Sequence, residues 1–451
     1  MVTFARMGPV DVAIVGGGAS GTLVAVQLLQ KASGPFRIAL IERTGTLARG
    51  VAYGSPEPFH LLNLPAAGMS AFPDRPDDFV RWSGALPEAF VPRSVYGDYL
   101  AATLAEARAR ARPGISLIVL GGEATSLSTT DDGLSLAFSD GVELSARVVV
   151  LALGNLPYLD PIASKDPSYR EAPWDAGALD GLSPDAPVLL LGTGLTMIDA
   201  ALSLDSRGHR APIHALSRHG LLPQAHGEVA AIPHLRIGAS GLRGVLRTVR
   251  AAAGAANDWR PTVEGLRPIT QRIWKRFSLA DKRRFLRHVR PYWDVHRHRM
   301  APVVAARIEQ LVSEGRLLVH AGRLRSIERH GEVAIVRHQP RGERREREFT
   351  VARIVNCTGP AMYLADMRHP LIASTLEQGL ARADALGLGF ATDRDGALLG
   401  NAPARLFTLG NLRRGDLWET TAVPELRAQA HAIAERLVRD LSLTDSAEAT
   451  V

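Results

Sequence analysis

Three glycines at the spacing Gly16-x-Gly18-x-x-Gly21 form the stretch of this sequence best suited to chemistry. The loop they define, Gly16, Gly17, Gly18, Ala19, Ser20 and Gly21, is rich in backbone N–H groups and poor in side chains, as a bound pyrophosphate requires. Gly16 permits a tight turn, Gly18 has no side chain to block the phosphates, and Gly21 lets a following helix lie close on a preceding strand. Glu42 stands 24 residues after Gly18, where a carboxylate accepts hydrogen bonds from ribose hydroxyls, with Arg43 beside it. The implied chemistry is dinucleotide binding; the alternative is a glycine-rich strand-to-helix turn with no ligand.

The flanking elements have the order such a loop needs. Apolar residues run from Asp11 into Gly16, the run Leu23 to Leu29 follows at helical spacing, and a second strand, Arg37 to Ile41, ends at Glu42. After a proline-punctuated region from Arg43 to Arg112 come alternating runs with turns at Asp131-Asp132-Gly133 and Ser139-Asp140-Gly141. They end in the continuous apolar strand Arg147 to Gly154, whose closing glycine suits a strand end that approaches a ligand.

The plan then recurs. Pro187 to Leu191 reads as a strand, Gly192-Thr193-Gly194-Leu195-Thr196-Met197 as the turn, and Ile198 to Leu204 as the start of a helix. A second strand spans Ile213 to Ser217, a meander spans Arg323 to Val351, and Arg353 to Gly359 closes the copy. Gly16 to Gly154 spans 138 residues and Gly192 to Gly359 spans 167, and the surplus falls in a helical stretch from about Leu242 to Gly315. The expected fold class is α/β, with two Rossmann-like dinucleotide-binding domains, β-meanders and a helical insertion. Two nucleotide units imply two nucleotides, most economically a bound flavin and a nicotinamide that delivers hydride to it. Near the C-terminus, Ala404 to Gly410 reads as another apolar strand, followed by Asn411 and a helix with Pro424 in its first turn. Thr444 to Val451 reads as a frayed tail. The expected domains are 1–160 and 356–451 for the flavin and 161–355, with the insertion at about 240–315, for the nicotinamide.

Composition removes several function classes. The 451 residues are 46% hydrophobic and 22% charged, an ordinary globular balance. No apolar run approaches the roughly 20 residues that cross a bilayer, and no apolar leader opens the chain, so the expected location is cytoplasmic. The single cysteine, Cys357, excludes an internal disulfide and a Cys-x-x-Cys redox pair. No nucleophile elbow or Walker-type loop supports a hydrolase or kinase. The formal charge of +7 is local: Arg272 to Arg299 holds ten Lys/Arg against two Asp. That segment also carries Trp274, Phe277, Phe285, Tyr292 and Trp293. It reads either as a helical pair with aromatic core and solvated arginines, or as an anion site in which Arg290, His296, Arg297 or Arg299 faces a nucleotide phosphate or a carboxylate substrate. No nucleic-acid motif accompanies the charge, and no metal site is expected, because His296 and His298 do not share a helix face.

These motifs resemble, over nearly the whole chain, the FAD/NAD(P)-binding oxidoreductases related to flavin-containing monooxygenases and amino-acid N-hydroxylases. The resemblance implies FAD on Gly16, Gly18, Gly21 and Glu42, with Gly154 and the pair Gly410-Asn411 matching later flavin-domain positions. Asn411 replaces the family's usual acid. The second motif, Gly192, Gly194 and Thr196, resembles the family's NADPH loop, although Met197 replaces its third glycine and should hold the helix farther from the strand. Ser217-Arg218 follows the second strand where an NAD-selective site places an acid, and a cation beside a hydroxyl favours a 2′-phosphate, hence NADPH. Asn63-Leu64-Pro65 resembles the monooxygenases' Asn-containing stretch beside the flavin, which implies a catalytic role for Asn63. The family's histidine between the two nucleotide domains is missing, since Gly154 to Ala186 contains none. The expectation is an enzyme that reduces FAD with NADPH and acts as a monooxygenase on a small amine or amino acid, an anionic substrate being one possibility. A reductase of a quinone or protein acceptor, or a flavin redox sensor without turnover, is the alternative. No nucleic-acid or membrane partner is expected, and nothing in the sequence indicates an oligomeric state.

Overall fold

The computed structural model describes residues 8–156, 166–174, 177–227, 235–238, 241–256, 258–401 and 405–448, with side chains through residue 442. The chain forms two compact units. One comprises Met1–Pro56, Leu64–Pro157 and Met362–Val451; the other comprises Glu57–Asn63 and Tyr158–Ala361.

The first unit grows from the apolar strands read in the sequence. Strand β1 (Val10–Val15) leads through the glycine loop into helix α1 (Ala19–Lys31), and β2 (Phe36–Glu42) and β3 (Ile115–Gly121) extend the sheet. Strands β4 (Ala124–Thr129), β5 (Leu134–Phe138) and β6 (Glu143–Leu151) form an antiparallel meander that brings β6 back beside β1. The order is β3-β2-β1-β6-β5-β4, and β1 pairs in parallel with β2 (Val15↔Ile41) and with β6 (Val15↔Leu151). Val12, Ala13 and Ile14 are fully buried. Burying one such branched side chain contributes about 1.5–3 kcal/mol, so a continuous Val/Ile run is stable only inside a sheet covered on both faces.

In the second unit, β7 (Tyr169–Arg170), β8 (Val188–Leu191) and helix α2 (Leu195–Ser206) precede β9 (Ile213–Ser217). Helices from Leu242–Ala255 through Arg290–Arg297 form the insertion, and helix α3 (Pro302–Ser313) returns the chain to the sheet. Strands β10 (Leu317–His330), β11 (Val333–Pro340), β12 (Arg347–Val351) and β13 (Arg353–Asn356) complete the order β12-β11-β10-β9-β8-β13-β7. The meander begins where it is expected, its antiparallel pairing starting at Gly322 and Arg323, but the strand that carries it starts earlier, at Leu317, because the first residues of β10 pair in parallel with β9.

The chain then rejoins the first unit. Strand β14 (Leu406–Thr408) pairs in parallel with β6 (Thr408↔Leu151), and helix α4 (Val423–Glu448) follows. Leu426, Ala430, Ile433, Ala434 and Leu437 are buried as their spacing predicts. Helix α4 continues through Glu448 where a frayed tail is expected from Thr444, and residues 449–451 lie outside those described. Among the described residues no helix is long and apolar enough to cross a membrane.

Candidate dinucleotide sites

The two glycine loops share one geometry. Gly16 and Gly192 both have φ +110°, and a Cβ added to either would collide with a backbone carbonyl oxygen: Ala152 O at 2.3 Å and Cys357 O at 2.5 Å. The Gly16 N–H donates to Ile41 O (2.9 Å) and the Gly192 N–H to Leu216 O (2.8 Å). The Ala152 N–H donates to Val15 O (2.8 Å) and the Cys357 N–H to Leu191 O (2.7 Å). Helices α1 and α2 each start from an extended glycine, Gly18 (φ −70°, ψ −166°) and Gly194 (φ −84°, ψ −171°), without a side-chain cap. Two uncapped helix N-termini therefore direct backbone donors and the positive end of a dipole at the space over each loop.

The copies differ at the third glycine. A Cβ at Gly21 would lie 1.8 Å from Gly16 O, so α1 starts in direct contact with its loop. Met197 occupies that position in the second copy and is fully buried among Leu190, Ile198 and Cys357. Its Cβ rules out so close an approach of α2 to its own loop.

The copies also differ where the ribose would bind. Glu42 is buried at the end of β2; its Oε2 accepts the Gly17 N–H (3.0 Å) and its Oε1 accepts the Thr44 N–H (2.9 Å) and hydroxyl (2.8 Å). These donors fix the carboxylate and leave lone pairs for hydroxyl donors. Because Ile41 and Leu216 accept equivalent bonds, Ser217 holds the position of Glu42. Its hydroxyl lies 2.8 Å from Thr193 Oγ1, which donates onward to Leu221 O (2.7 Å), and it accepts the Gly220 N–H (3.0 Å). With the Thr193 proton committed to Leu221, Ser217 donates to Thr193, so its role is to shape the turn. That turn presents Arg218, which is exposed and lines a cavity of about 460 Å³ together with His219. Thr196, in the first turn of α2, is half-buried, and Gly194 is exposed with no atom within 4 Å of an added Cβ.

The C-terminal return reaches the first loop. At Gly410 (φ +72°) an added Cβ would be 3.9 Å from Ser20 Oγ. The polar groups here are already engaged by the protein: Gly410 N–H donates to Gln429 Oε1 (3.2 Å) and Gly410 O accepts Thr420 Oγ1 (2.9 Å). Asn411 Nδ2 donates to Gly154 O (3.2 Å) and to Asn155, while its Oδ1 accepts from Arg414. Asn411 thus ties the ends of β14 and β6 together. Gln429, Thr420 and Arg414 carry no motif that sequence reading could find. Arg43 is exposed and pairs loosely with Glu123 at 3.8 Å.

Asn63 belongs to the second unit, where its carbonyl oxygen accepts from His226 Nε2 (3.0 Å). The same short segment is anchored by His60, whose Nε2 is 3.1 Å from Asp199 O and 3.0 Å from Ser203 Oγ. In the basic insertion, Trp274, Phe277 and Phe285 are buried, as the core reading expects, whereas Tyr292 is exposed. Arg290 pairs with Asp294 (3.1 Å), His296 Nδ1 bonds Tyr292 O (2.7 Å), and Arg299 is fully buried against Glu264. Arg297 is also buried. None of these four residues lines the cavity beside Arg218. Among the described residues no group of three or more side chains forms a metal site.

Residues 13–156 match the protein family described as FAD-NAD(P)-binding. No curated protein sequence matches the chain. Its fold is similar to that of ornithine N-hydroxylase from Kutzneria sp. 744, a structure with reduced FAD, NADP+ and L-ornithine, at 15% identity and a TM-score of 0.65 over 96% of this chain and 100% of that one. L-lysine 6-monooxygenase from Pseudomonas syringae matches at 17% identity and a TM-score of 0.67, over 95% and 99% of the two chains. The bacillithiol disulfide reductase of Staphylococcus aureus matches at 13% and 0.59, over 96% and 99%. Residues 13–156 are therefore similar to an FAD-NAD(P)-binding domain, and the chain as a whole shares the fold of the ornithine and lysine hydroxylating enzymes and of the bacillithiol disulfide reductase.

Proposed function

We propose that the protein is an FAD-dependent oxidoreductase that consumes NADPH and hydroxylates a small amine or amino acid. The observation that carries the cofactor assignment is the duplicated loop with a buried glutamate at one ribose position and Ser217-Arg218 at the other. A carboxylate suits free ribose hydroxyls, whereas a guanidinium suits a phosphate on the ribose. FAD, when bound, accepts hydride from NADPH and passes the electrons to oxygen or another acceptor. The chain's own residues bind and orient. Gly16, Gly18 and the N-terminus of α1 receive the flavin pyrophosphate, Glu42 holds its ribose, and Gly192, Gly194 and α2 do the same for the nicotinamide nucleotide. Asn63 is the residue proposed beside the reacting atoms.

The hydroxylase reading is supported by the likeness to ornithine and lysine enzymes over almost the whole chain. A reductase reading is supported by the likeness to a disulfide reductase, but a dithiol on this chain cannot serve it. The one thiol, Cys357, is buried behind Gly192, and burial together with nearby Asp199 pushes its pKa far up. NADPH consumption with L-ornithine, L-lysine and related amines, measured with oxygen uptake and product mass, tests the proposal. A product heavier by one oxygen atom, formed in proportion to NADPH, is expected; equal turnover of a quinone without oxygen would replace hydroxylation with reduction.

A further inference from the structure

The cavity beside Arg218 is built from three parts of the second unit that are far apart in sequence. Arg218 and His219 come from the turn after β9, Arg287 and His288 from the helical insertion, and Arg323 and Arg341 from the meander. All four arginines are exposed, and no carboxylate pairs with any of them among the described residues. The chain's other surface arginines are commonly paired, as Arg207 is with Asp180, Arg210 with Asp185 and Arg307 with Asp205. The cavity's one acid, Glu343, is held by Arg347 through both oxygens (2.8 and 3.0 Å). Four guanidinium groups facing one space of about 460 Å³ repel one another, and a bound dianion would relieve that repulsion.

Two backbone features hold the arginines in place. Phe285–Val289 is a π-helical turn, a rare arrangement that often marks functional positions, and it carries Arg287 and His288. Gly220 (φ +61°) presses the β9 turn against β10, where a Cβ would come within 2.9 Å of Ala321; the carbonyl of that same Ala321 accepts the Arg341 N–H at 2.8 Å. The turn that presents Arg218 and the strand end that presents Arg341 thus meet at one residue.

We infer that this cavity reads a phosphate on the nucleotide ribose, and that Arg287 and Arg341, together with Arg218, are its specificity-determining residues. The inference rests on the proposed NADPH site and deepens it: the insertion that lengthens the second copy supplies one wall of the phosphate pocket. Arg323 adds a fourth positive charge to the same lining, while burial and the neighbouring Arg341 and Arg218 hold the His219 imidazole below its usual range, toward its neutral form.

The test is calorimetric titration of the FAD-loaded full chain with adenosine 2′,5′-bisphosphate and with 5′-AMP. The variants are R218A, R287A, R341A and R272A, the last removing an exposed arginine of the same insertion that does not line the cavity. The wild type should bind the bisphosphate at least about tenfold more tightly than AMP, and R287A and R341A should each lose about tenfold for the bisphosphate but not for AMP, as for one charge-assisted contact. R272A should match the wild type. The inference is overturned if R287A and R341A keep the wild-type ratio while R218A loses it, if R272A falls equally, or if the wild type does not discriminate. In those cases NADPH reduction of the flavin can still stand. If the wild type binds neither nucleotide and NADPH leaves the flavin oxidised, the proposed function itself fails.

Discussion

Replacing Gly21 with alanine tests whether the first loop is a fitted anion site or an ordinary turn. The residue does not need positive φ, so the perturbation is purely steric. The added methyl carbon would lie 1.8 Å from Gly16 O and 3.2 Å from Ile14 Cγ2. Backbone cannot rotate away as a side chain can, so restoring a tolerable contact moves the start of α1 by roughly 1 Å, and overpacking of this kind costs about 1–3 kcal/mol. For a unit of this size that is a fall in Tm of roughly 2–4 °C per kcal/mol. The N–H groups that would receive the pyrophosphate move with the helix, and loss of about 1.4 kcal/mol of binding weakens FAD affinity tenfold. The assay is FAD binding to apoprotein by fluorescence quenching, with thermal unfolding in parallel. Gly194→Ala is the control: its φ is ordinary and an added Cβ meets no atom within 4 Å. That variant should keep wild-type stability and FAD affinity while raising the KM for NADPH, because the methyl group occupies the space in front of α2. G21A with unchanged FAD affinity and Tm would refute the steric account of the loop.

Other expectations follow from single contacts. Glu42→Gln turns an N–H donor toward either the Gly17 or the Thr44 N–H, and an unmatched buried donor costs about 1–3 kcal/mol. FAD affinity should therefore fall about tenfold, and a Kd within twofold of wild type would remove Glu42 from the site. Burial, with His320 for one and Arg299 for the other, holds His214 and His226 down to about 4. Such groups contribute stability that is complete above the unfolded value near 6.5 and lost as pH falls toward about 4. Unfolding temperature should drop between pH 7 and pH 5, and His214→Phe should flatten that slope; parallel curves for variant and wild type would contradict it. Cys357 should resist thiol reagents at pH 8 in the folded protein and react fully once denatured, because its thiol is buried and held protonated. Modification of native protein at the rate of a free thiol would show that this region opens.

Much of the fold is legible in the sequence because it is local. A Val/Ile run stopped by glycine can only be a covered strand, and the alignment of Gly16 with Gly192 anticipates two loops whose hydrogen bonds coincide to within about 0.1 Å. Identical local demands, a positive φ and a carbonyl packed on the glycine, select the same residue twice. What stays hidden depends on pairing between distant segments. The insertion's charge is visible as a run, but which arginines share a cavity depends on a π-helical turn that no periodicity signals; Arg287 lines it, while Arg290 and Arg299 are spent on Asp294 and Glu264. The bridge that the Asn411 amide makes to Gly154, Asn155 and Arg414 is hidden in the same way, because two of its three partners lie more than 250 residues away. The early start of β10 is hidden because one strand serves two neighbours of opposite direction.

The most direct test of the account is anaerobic titration of the FAD-loaded protein with NADPH, followed by its visible spectrum. One equivalent of NADPH per bound FAD should bleach the flavin band completely, with NADH much slower at equal concentration. A polypeptide that takes up no FAD when offered an excess, or a bound flavin that NADPH leaves oxidised, would contradict it.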